Sequence, residues 1–524
     1  MKNKNINWHI VIFPFCIVVA LAVIVTTFPV RAEEIINNLF NVFGNRLGVF
    51  YIFVGLFVFL GSIIIASSRY GKIRLGNNEK PLYGNFKWGS MIFMSTMAAD
   101  IIYWSLIEWA YYYQSNPMGA FELSQAQRQQ IASTYPLFHW GPIPWSFYIL
   151  PATAYAYLFF VKGKKRVTLS EACRPLLKHN SDRIVGKLID TIAVVGLLGA
   201  IATTFATTTP LISSSINRAL GLNFGNGLTI SILIFVGFIF TLAVLLGMKY
   251  IARLAMINVV LFVILFLFVL FFGPTRFIIE SGISGMGNLV QNFAVMATWT
   301  DPLRITGDGY SGFPQDWTIF YWAYWIAYFV ATPFFIAKIS EGRTIRNMIF
   351  GAFFYGIAGT FTSFIVFGNF GLYQQVSGAV DTVALLESGT PPAEVILYFF
   401  EQLPFTGIIL ALLAVTLVVF YASTFDAITL VVASFCMKKL PIKSMPAKWL
   451  RLFWSLVFII LPITLIWLES TLEMLKTVSI IAAFPTAFIL LMVIFSFIKE
   501  LKNSPNTKET DHDNTIPDAA GDEI

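Results

Sequence analysis

The stretch Trp317–Arg346, WTIFYWAYWIAYFVATPFFIAKISEGRTIR, decides how the rest of the chain is read. Its apolar part is long enough to cross a bilayer, which takes about 20 such residues. Rings crowd its first half: Trp317, Phe320, Tyr321, Trp322, Tyr324, Trp325, Tyr328 and Phe329. At about 3.6 residues per turn, Tyr321, Trp325 and Tyr328 share one helix face, with Trp322 and Phe329 beside them. An interfacial aromatic belt sits at the ends of a span, whereas this cluster runs through the interior. Ring faces deep in a membrane helix can hold a cation without an opposite charge. Periodicity alone leaves packing and cation binding both open. The stretch ends in a basic, glycine-containing segment, Lys338 to Arg346.

Of the 524 residues, 57% are hydrophobic and 12% charged, where a soluble domain carries roughly 25% charged residues. The chain is therefore an all-α polytopic membrane protein. Its net charge of +7 is no nucleic-acid footprint, because the basic residues lie in short loops between apolar runs. Cys16, Cys173 and Cys436 stand far apart and make neither a disulfide framework nor a metal-ligand spacing. The run from Trp8 to Val30 follows Lys2 and Lys4 like a signal peptide, but it exceeds an h-region of ~7–15 residues. It reads as the first membrane helix.

Apolar runs place spans near 8–30, 47–67, 88–114, 134–161, 187–212, 227–247, 251–273, 317–338, 345–369, 405–437, 448–468 and 474–498. Twelve spans put both termini on one side. The loops Ser68–Lys87 and Lys162–Lys187 are rich in Lys and Arg, as are Lys338–Arg346 and Lys438–Arg451. The alternate loops are poor: Gly371–Pro404 has neither residue, and Gln114–Ser133 has Arg128 alone. The positive-inside rule then makes the basic loops and both termini cytoplasmic. The expected organisation is a cytoplasmic N-terminus at 1–7, a twelve-helix body at 8–498 and a tail at 499–524. That tail turns polar and acidic after Lys502 and is expected to be disordered. Ile283–Thr298 and Val380–Phe400 read as short amphipathic helices outside the bilayer. There is no soluble catalytic domain and no nucleophile constellation in the spans, so no enzyme is expected.

An ionisable group inside a span is costly and is a functional candidate by default. The candidates are Asp100, Glu108, Asp190 and Asp426, with His139. Asp100 follows small residues (Thr96-Met97-Ala98-Ala99) that permit a local break. It could bind a cation, accept a substrate hydroxyl or carry a proton, or it could sit in an internal pair. Glu108 reads as structural or gating, and Asp190 as a cap or loop ion pair near the cytoplasm. Ser423 and Thr424, just before Asp426, are hard oxygen ligands that suit Na⁺, though hydroxyls also hold membrane helices together. The fourth span starts Phe138-His139-Trp140-Gly141-Pro142-Ile143-Pro144-Trp145-Ser146-Phe147-Tyr148, a second aromatic set beside two prolines and a glycine. Two aromatic sets and a midplane carboxylate point to a shared cation box. Gly196, Gly199 and the threonines 203–204 and 207–209 of the fifth span fit either a moving helix interface or small-residue packing.

These motifs resemble those of the betaine/choline/carnitine transporter (BCCT) family: Trp317–Arg346 is similar to its eighth-span signature, and Phe138–Tyr148 to its fourth-span motif. The likeness runs from about Phe50 to Ile498. It implies that helices 3–7 and 8–12 form two inverted five-helix repeats, as in LeuT-like transporters. It further implies a small quaternary ammonium substrate held near the midplane, alternating access, a cell-membrane location and a homotrimer. Carried over by position, the substrate box is Trp140, Trp145, Tyr148, Tyr324, Trp325 and Tyr328. Tyr324 and Tyr328 stand where the family more often has Trp, and Glu341 stands where a basic residue is usual.

Asp100 falls where betaine-transporting members have glycine and choline-transporting relatives similarly have Asp. The stretch His139–Trp145 and Thr300-Asp301-Pro302 look more like the carnitine/γ-butyrobetaine exchangers. Two markers of ion-independent exchange are missing, with Val259 in place of an arginine and Thr332 in place of a methionine. Met97, Phe420, Ser423 and Thr424 resemble a sodium site, while Asp100 offers an alternative proton route. No other cofactor is expected. The reading is ion-coupled choline uptake, with carnitine, γ-butyrobetaine or glycine betaine transport or exchange as the alternative. A channel or sensor that does not turn over ranks behind both.

Overall fold

The computed structural model describes residues 5–95, 98–117, 122–164, 166–246, 248–306, 311–440 and 444–503. Met97 and the tail beyond residue 503 lie outside them. Among the described residues the chain is helical, with no strand and with isolated bridges joining Ile6 to Met437 and Arg74 to Thr344. Helices are what a bilayer demands, because each backbone N–H and C=O must find its partner within the segment.

Seven helices among these residues are long and apolar enough to cross a membrane, and three bent pairs raise the number to ten. In the first pair, Asn85–Ser95 and Ala99–Gln114 are inclined at 63°. In the second, Thr275–Ile305 leaves Met256–Phe272 at 103°. The expected amphipathic segment Ile283–Thr298 therefore lies across the preceding span. In the third, Pro314–Tyr328 and Thr332–Ile339 are inclined at 56°. Two further expected spans are built from shorter pieces. One is Gln125–His139, Pro142–Ala156 and a π turn at Tyr157–Val161; the other contains the apolar helix Asn226–Leu242.

The eighth span, expected to be continuous over 317–338, is broken. Its first helix, Ile319–Tyr328, stops, and Thr332–Ile339 starts with Pro333 in its first turn. Pro333 has no N–H to give to the carbonyl of Phe329, and its ring collides with that carbonyl in a regular helix. The break therefore falls at residues 329–331, directly after the aromatic cluster. Pro142 acts in the same way after Trp140-Gly141, where the fourth span restarts.

The helix Ile184–Leu220 packs between Thr406–Phe435 and Leu472–Lys502. Its glycines let the last helix come close. A Cβ on Gly196 would stand 2.5 Å from Thr486 Oγ1, and one on Gly199 would stand 2.9 Å from the Ala482 Cβ. Thr203 donates to the Leu475 carbonyl at 2.9 Å and accepts from Ser479 at 2.9 Å. The fifth-span small residues thus form a tight, hydrogen-bonded helix contact.

The basic segments meet one another. Leu75 donates to the Arg343 carbonyl at 2.8 Å, and Gly342 donates to that of Leu75 at 2.7 Å. Arg343 is buried, stacks 3.9 Å from the Trp88 ring, and donates to Asn85 and to the Tyr83 carbonyl. Asn7 donates to the Cys436 carbonyl at 2.7 Å. Lys162 pairs with Glu500 at 2.7 Å, which raises the lysine above its ordinary range, and Lys499 reaches the Pro175 carbonyl. The last helix accordingly runs to Lys502, past the expected end at 498. Three separate clasps thus tie together segments expected on one side of the membrane.

Candidate functional site

Trp325 stands at the centre of four rings. Its centroid lies 5.4 Å from Trp140, 5.6 Å from Trp145 and 4.7 Å from Tyr148. All four are buried. Trp140 occupies the turn between the two halves of the fourth span, where the prolines interrupt the helix, and Trp145 and Tyr148 follow on the second half. Thr360 ties the set together: it accepts from Trp145 Nε1 at 3.3 Å and donates to the Trp140 carbonyl at 2.7 Å. Trp325 Nε1 has no partner among the described residues. A cation is held with its centre within about 6 Å of a ring centroid. Trp325 meets Trp140 at 65° and Trp145 at 63°, so these rings stand as adjoining walls and not as stacked plates.

Tyr324 and Tyr328 form a second group. Their hydroxyls meet at Thr204 Oγ1, at 2.5 and 2.7 Å, and Tyr324 donates to Asp100 Oδ2 at 2.8 Å. Tyr328 therefore sides with Tyr324, not with Trp325 as the face count implied. The pair is four residues apart, and Trp325 points about 100° away from Tyr324. Asp100 lies in the first turn of Ala99–Gln114, where the positive end of the half-helix dipole favours an anion.

Beneath the rings lies a fully buried carboxylate, Glu108. It accepts from Tyr112 at 2.6 Å, Trp140 Nε1 at 2.7 Å and Tyr321 at 2.6 Å. His139 joins Tyr112 at 2.6 Å and Thr318 at 3.0 Å, and stacks on Tyr321. At the start of the eighth span, Lys476 lies 4.2 Å from the Trp317 ring centroid and donates to the Asp316 carbonyl. The sequence offered a weak signal for the Glu108 network, since Tyr112 falls one helical turn after Glu108. Thr204 stood out in the sequence only as one of the fifth-span hydroxyls, with nothing to pair it to the tyrosines, and for Thr360 the sequence offered no signal.

Of the residues expected to hold a coupling ion, Met97 is outside the described set. Ser423 and Thr424 both donate to the Phe420 carbonyl, at 2.9 and 3.0 Å, and Ser423 accepts from Asn258 Nδ2 at 2.9 Å. Asp426 pairs with Arg451, which lies over the Phe240 ring. Asp190 accepts the N–H and hydroxyl of Ser170 at 2.8 and 2.6 Å and lies 4.0 Å from Arg166, a loop anchor.

A family model described as "BCCT, betaine/carnitine/choline family transporter" matches residues 9–506. The chain belongs to the BCCT family. It is an integral membrane transport protein, not an enzyme, of a family whose substrates are small quaternary ammonium compounds. A carnitine transporter of Acinetobacter baumannii is 30% identical over 85% of this chain and 80% of its own length. A probable glycine betaine transporter of Desulfitobacterium hafniense is 30% identical over 91% and 93%. A high-affinity choline transport protein of Escherichia coli is 27% identical over 90% and 69%. The relatives of this BCCT member thus carry three different substrate names, and the choice among them falls to the site.

Proposed function

We propose that this BCCT member is an ion-coupled importer of choline. The observation that carries the reading is the Asp100 carboxylate, hydrogen-bonded to Tyr324 next to the aromatic set. Opposite unit charges about 4 Å apart attract by about 4 kcal/mol at an effective dielectric of 20. Choline, a cation with a hydroxyl, gains that attraction in full. Glycine betaine and carnitine are zwitterions, and the same carboxylate repels theirs. The substrate box in this reading is Trp140, Trp145, Tyr148, Tyr324, Trp325 and Tyr328, with Asp100 as the selecting charge. Met97, Phe420, Ser423 and Thr424 take Na⁺; proton coupling through Asp100 is the alternative.

The reading includes twelve helices with inverted repeats at helices 3–7 and 8–12, cytoplasmic termini and a homotrimer. Clasps between the basic segments support one common cytoplasmic end. The test is uptake of labelled choline and glycine betaine into proteoliposomes by wild type and Asp100→Gly. Choline uptake should fall and betaine uptake be kept or gained. An unchanged choline preference overturns the assignment.

The second reading is transport or exchange of carnitine or a betaine, favoured by the 30% relatives named for them. Counterflow without any Na⁺ or pH gradient separates exchange from symport.

A further inference from the structure

Glu108 and His139 are both fully buried, and one hydroxyl, that of Tyr112, joins them. Among the described residues Glu108 has no Lys or Arg partner; its basic neighbour is the His139 ring, 3.9 Å from Oε1. A carboxylate at membrane depth is expensive, and chains of Asp, Glu and His there serve as proton relays. Charged groups on the surrounding elements are engaged elsewhere. Asp100, on the same helix, holds Tyr324, and Lys476 pairs with Glu473 at 2.7 Å. Asp190 is held by Ser170, Arg218 by Glu401 and Asp426 by Arg451. Tyr135 and Tyr321 approach from the helices Gln125–His139 and Ile319–Tyr328 as phenols. The stretch 364–376, packed on the Glu108 helix, has Tyr373 as its titratable residue.

The Tyr112 hydroxyl lies 2.6 Å from Glu108 Oε1 and 2.6 Å from His139 Nδ1, with one proton for two partners. His139 Nε2 lies 3.0 Å from the Thr318 hydroxyl. Two arrangements satisfy these contacts. With Glu108 ionised, Tyr112 donates to it, His139 Nδ1–H donates to Tyr112, and Thr318 donates to Nε2. With one proton more, every bond runs the other way: Glu108 O–H donates to Tyr112, Tyr112 to Nδ1, and Nε2–H to Thr318. The imidazole permits the reversal because either ring nitrogen can be the donor.

We propose that the chain Thr318–His139–Tyr112–Glu108 is a one-proton site, and that its proton and a cationic substrate exclude each other. The incoming proton binds Nε2, the Nδ1 proton passes to Tyr112, and the Tyr112 proton passes to Glu108. The charge of the chain rises by one. Thr318 is 4% exposed and the other three groups are fully enclosed. Loading therefore needs a state in which water reaches the start of the eighth span. Glu108 Oε2 accepts from Trp140 Nε1. Protonation leaves that indole with a neutral and weaker acceptor, and it removes the negative charge behind the ring. The substrate half of the inference rests on the reading of Trp140 as part of the box.

The first measurement uses purified full-length protein with no organic ligand: infrared difference spectra between acid and alkaline pH. A carboxylic-acid carbonyl band should appear on acidification and be missing from Glu108→Gln. Tyr112→Phe, which removes the linking hydroxyl, should move that band or its titration midpoint. A full set of bands in Glu108→Gln overturns the site, as does a spectrum indifferent to Tyr112→Phe. The second measurement is equilibrium binding of choline, glycine betaine and carnitine over the same pH range. The ligand that binds should bind on the order of tenfold more tightly once the proton is gone, the size expected for one charge at about 10 Å and an effective dielectric of 20. Glu108→Gln should bind at the weaker level at every pH. A pH dependence that survives in Glu108→Gln belongs to Asp100 and overturns the exclusion. If the betaines bind and choline does not, the choline assignment fails while both Glu108 results are still read.

Discussion

Trp140 donates its indole N–H to Glu108 Oε2 at 2.7 Å, and the same oxygen accepts the Tyr321 hydroxyl at 2.6 Å. One buried carboxylate therefore fixes a ring of the proposed box and a ring one helical turn before Trp325. A carboxylate is suited to this because it accepts on both oxygens and donates on neither. Its other oxygen takes Tyr112, which connects the set to His139. Glu108, read from sequence as structural or gating, is placed as a support for the aromatic wall.

Glu108→Ala leaves the Tyr112, Trp140 and Tyr321 donors facing an apolar methyl, and an unpaired buried donor costs about 1–3 kcal/mol. The variant should lose thermal stability in detergent and bind substrate more weakly. Glu108→Gln keeps one acceptor oxygen and should fall between it and wild type. Scanning fluorimetry with a parallel binding titration measures both; wild-type behaviour in Glu108→Ala would remove the carboxylate from this role.

Trp325 touches three other rings of the cluster, so its replacement should register directly in binding. A cation–π contact is worth about 0.5–2 kcal/mol, so Trp325→Leu should weaken choline binding roughly 2- to 30-fold, and Trp325→Phe, which keeps a smaller ring face, by less. The uncharged isostere 3,3-dimethylbutan-1-ol provides the control. Its weaker binding should change little between Trp325→Phe and wild type. Equal sensitivity of the two ligands would mean that the ring acts through packing alone.

Gly342 has φ +83°, and a Cβ there would stand 2.6 Å from the Lys80 carbonyl oxygen. Both the left-handed backbone and the close approach exclude a side chain. Gly342→Ala should cost about 1–3 kcal/mol from backbone strain and loosen the clasp between residues 75–82 and 341–345. A cysteine placed at Lys80 should then react faster with a membrane-impermeant maleimide on inside-out vesicles. An unaltered rate would show that the clasp does not depend on this turn.

The membrane class was legible in composition because a bilayer leaves apolar helices as nearly the sole option for such a chain. Helix breaks were half legible. Pro142 and Pro144 mark one in the fourth span, whereas Pro333 in the eighth is masked by the continuous apolar run around it. The proposed site divided likewise. Trp140, Trp145, Tyr148 and Trp325 do come together in the fold, but Tyr328 turned to the opposite grouping.

By itself, the sequence determined that this is a polytopic helical protein with rings clustered in two spans and a carboxylate in a third. Those properties follow from local composition and from helical period. Tertiary structure alone decided which groups meet: Asp100 with Tyr324, Thr204 with both tyrosines, Glu108 with Trp140, Asn258 with Ser423. Each pairing crosses between different helices. It is fixed by how the helices are rotated and tilted against one another, and no run of residues encodes that locally.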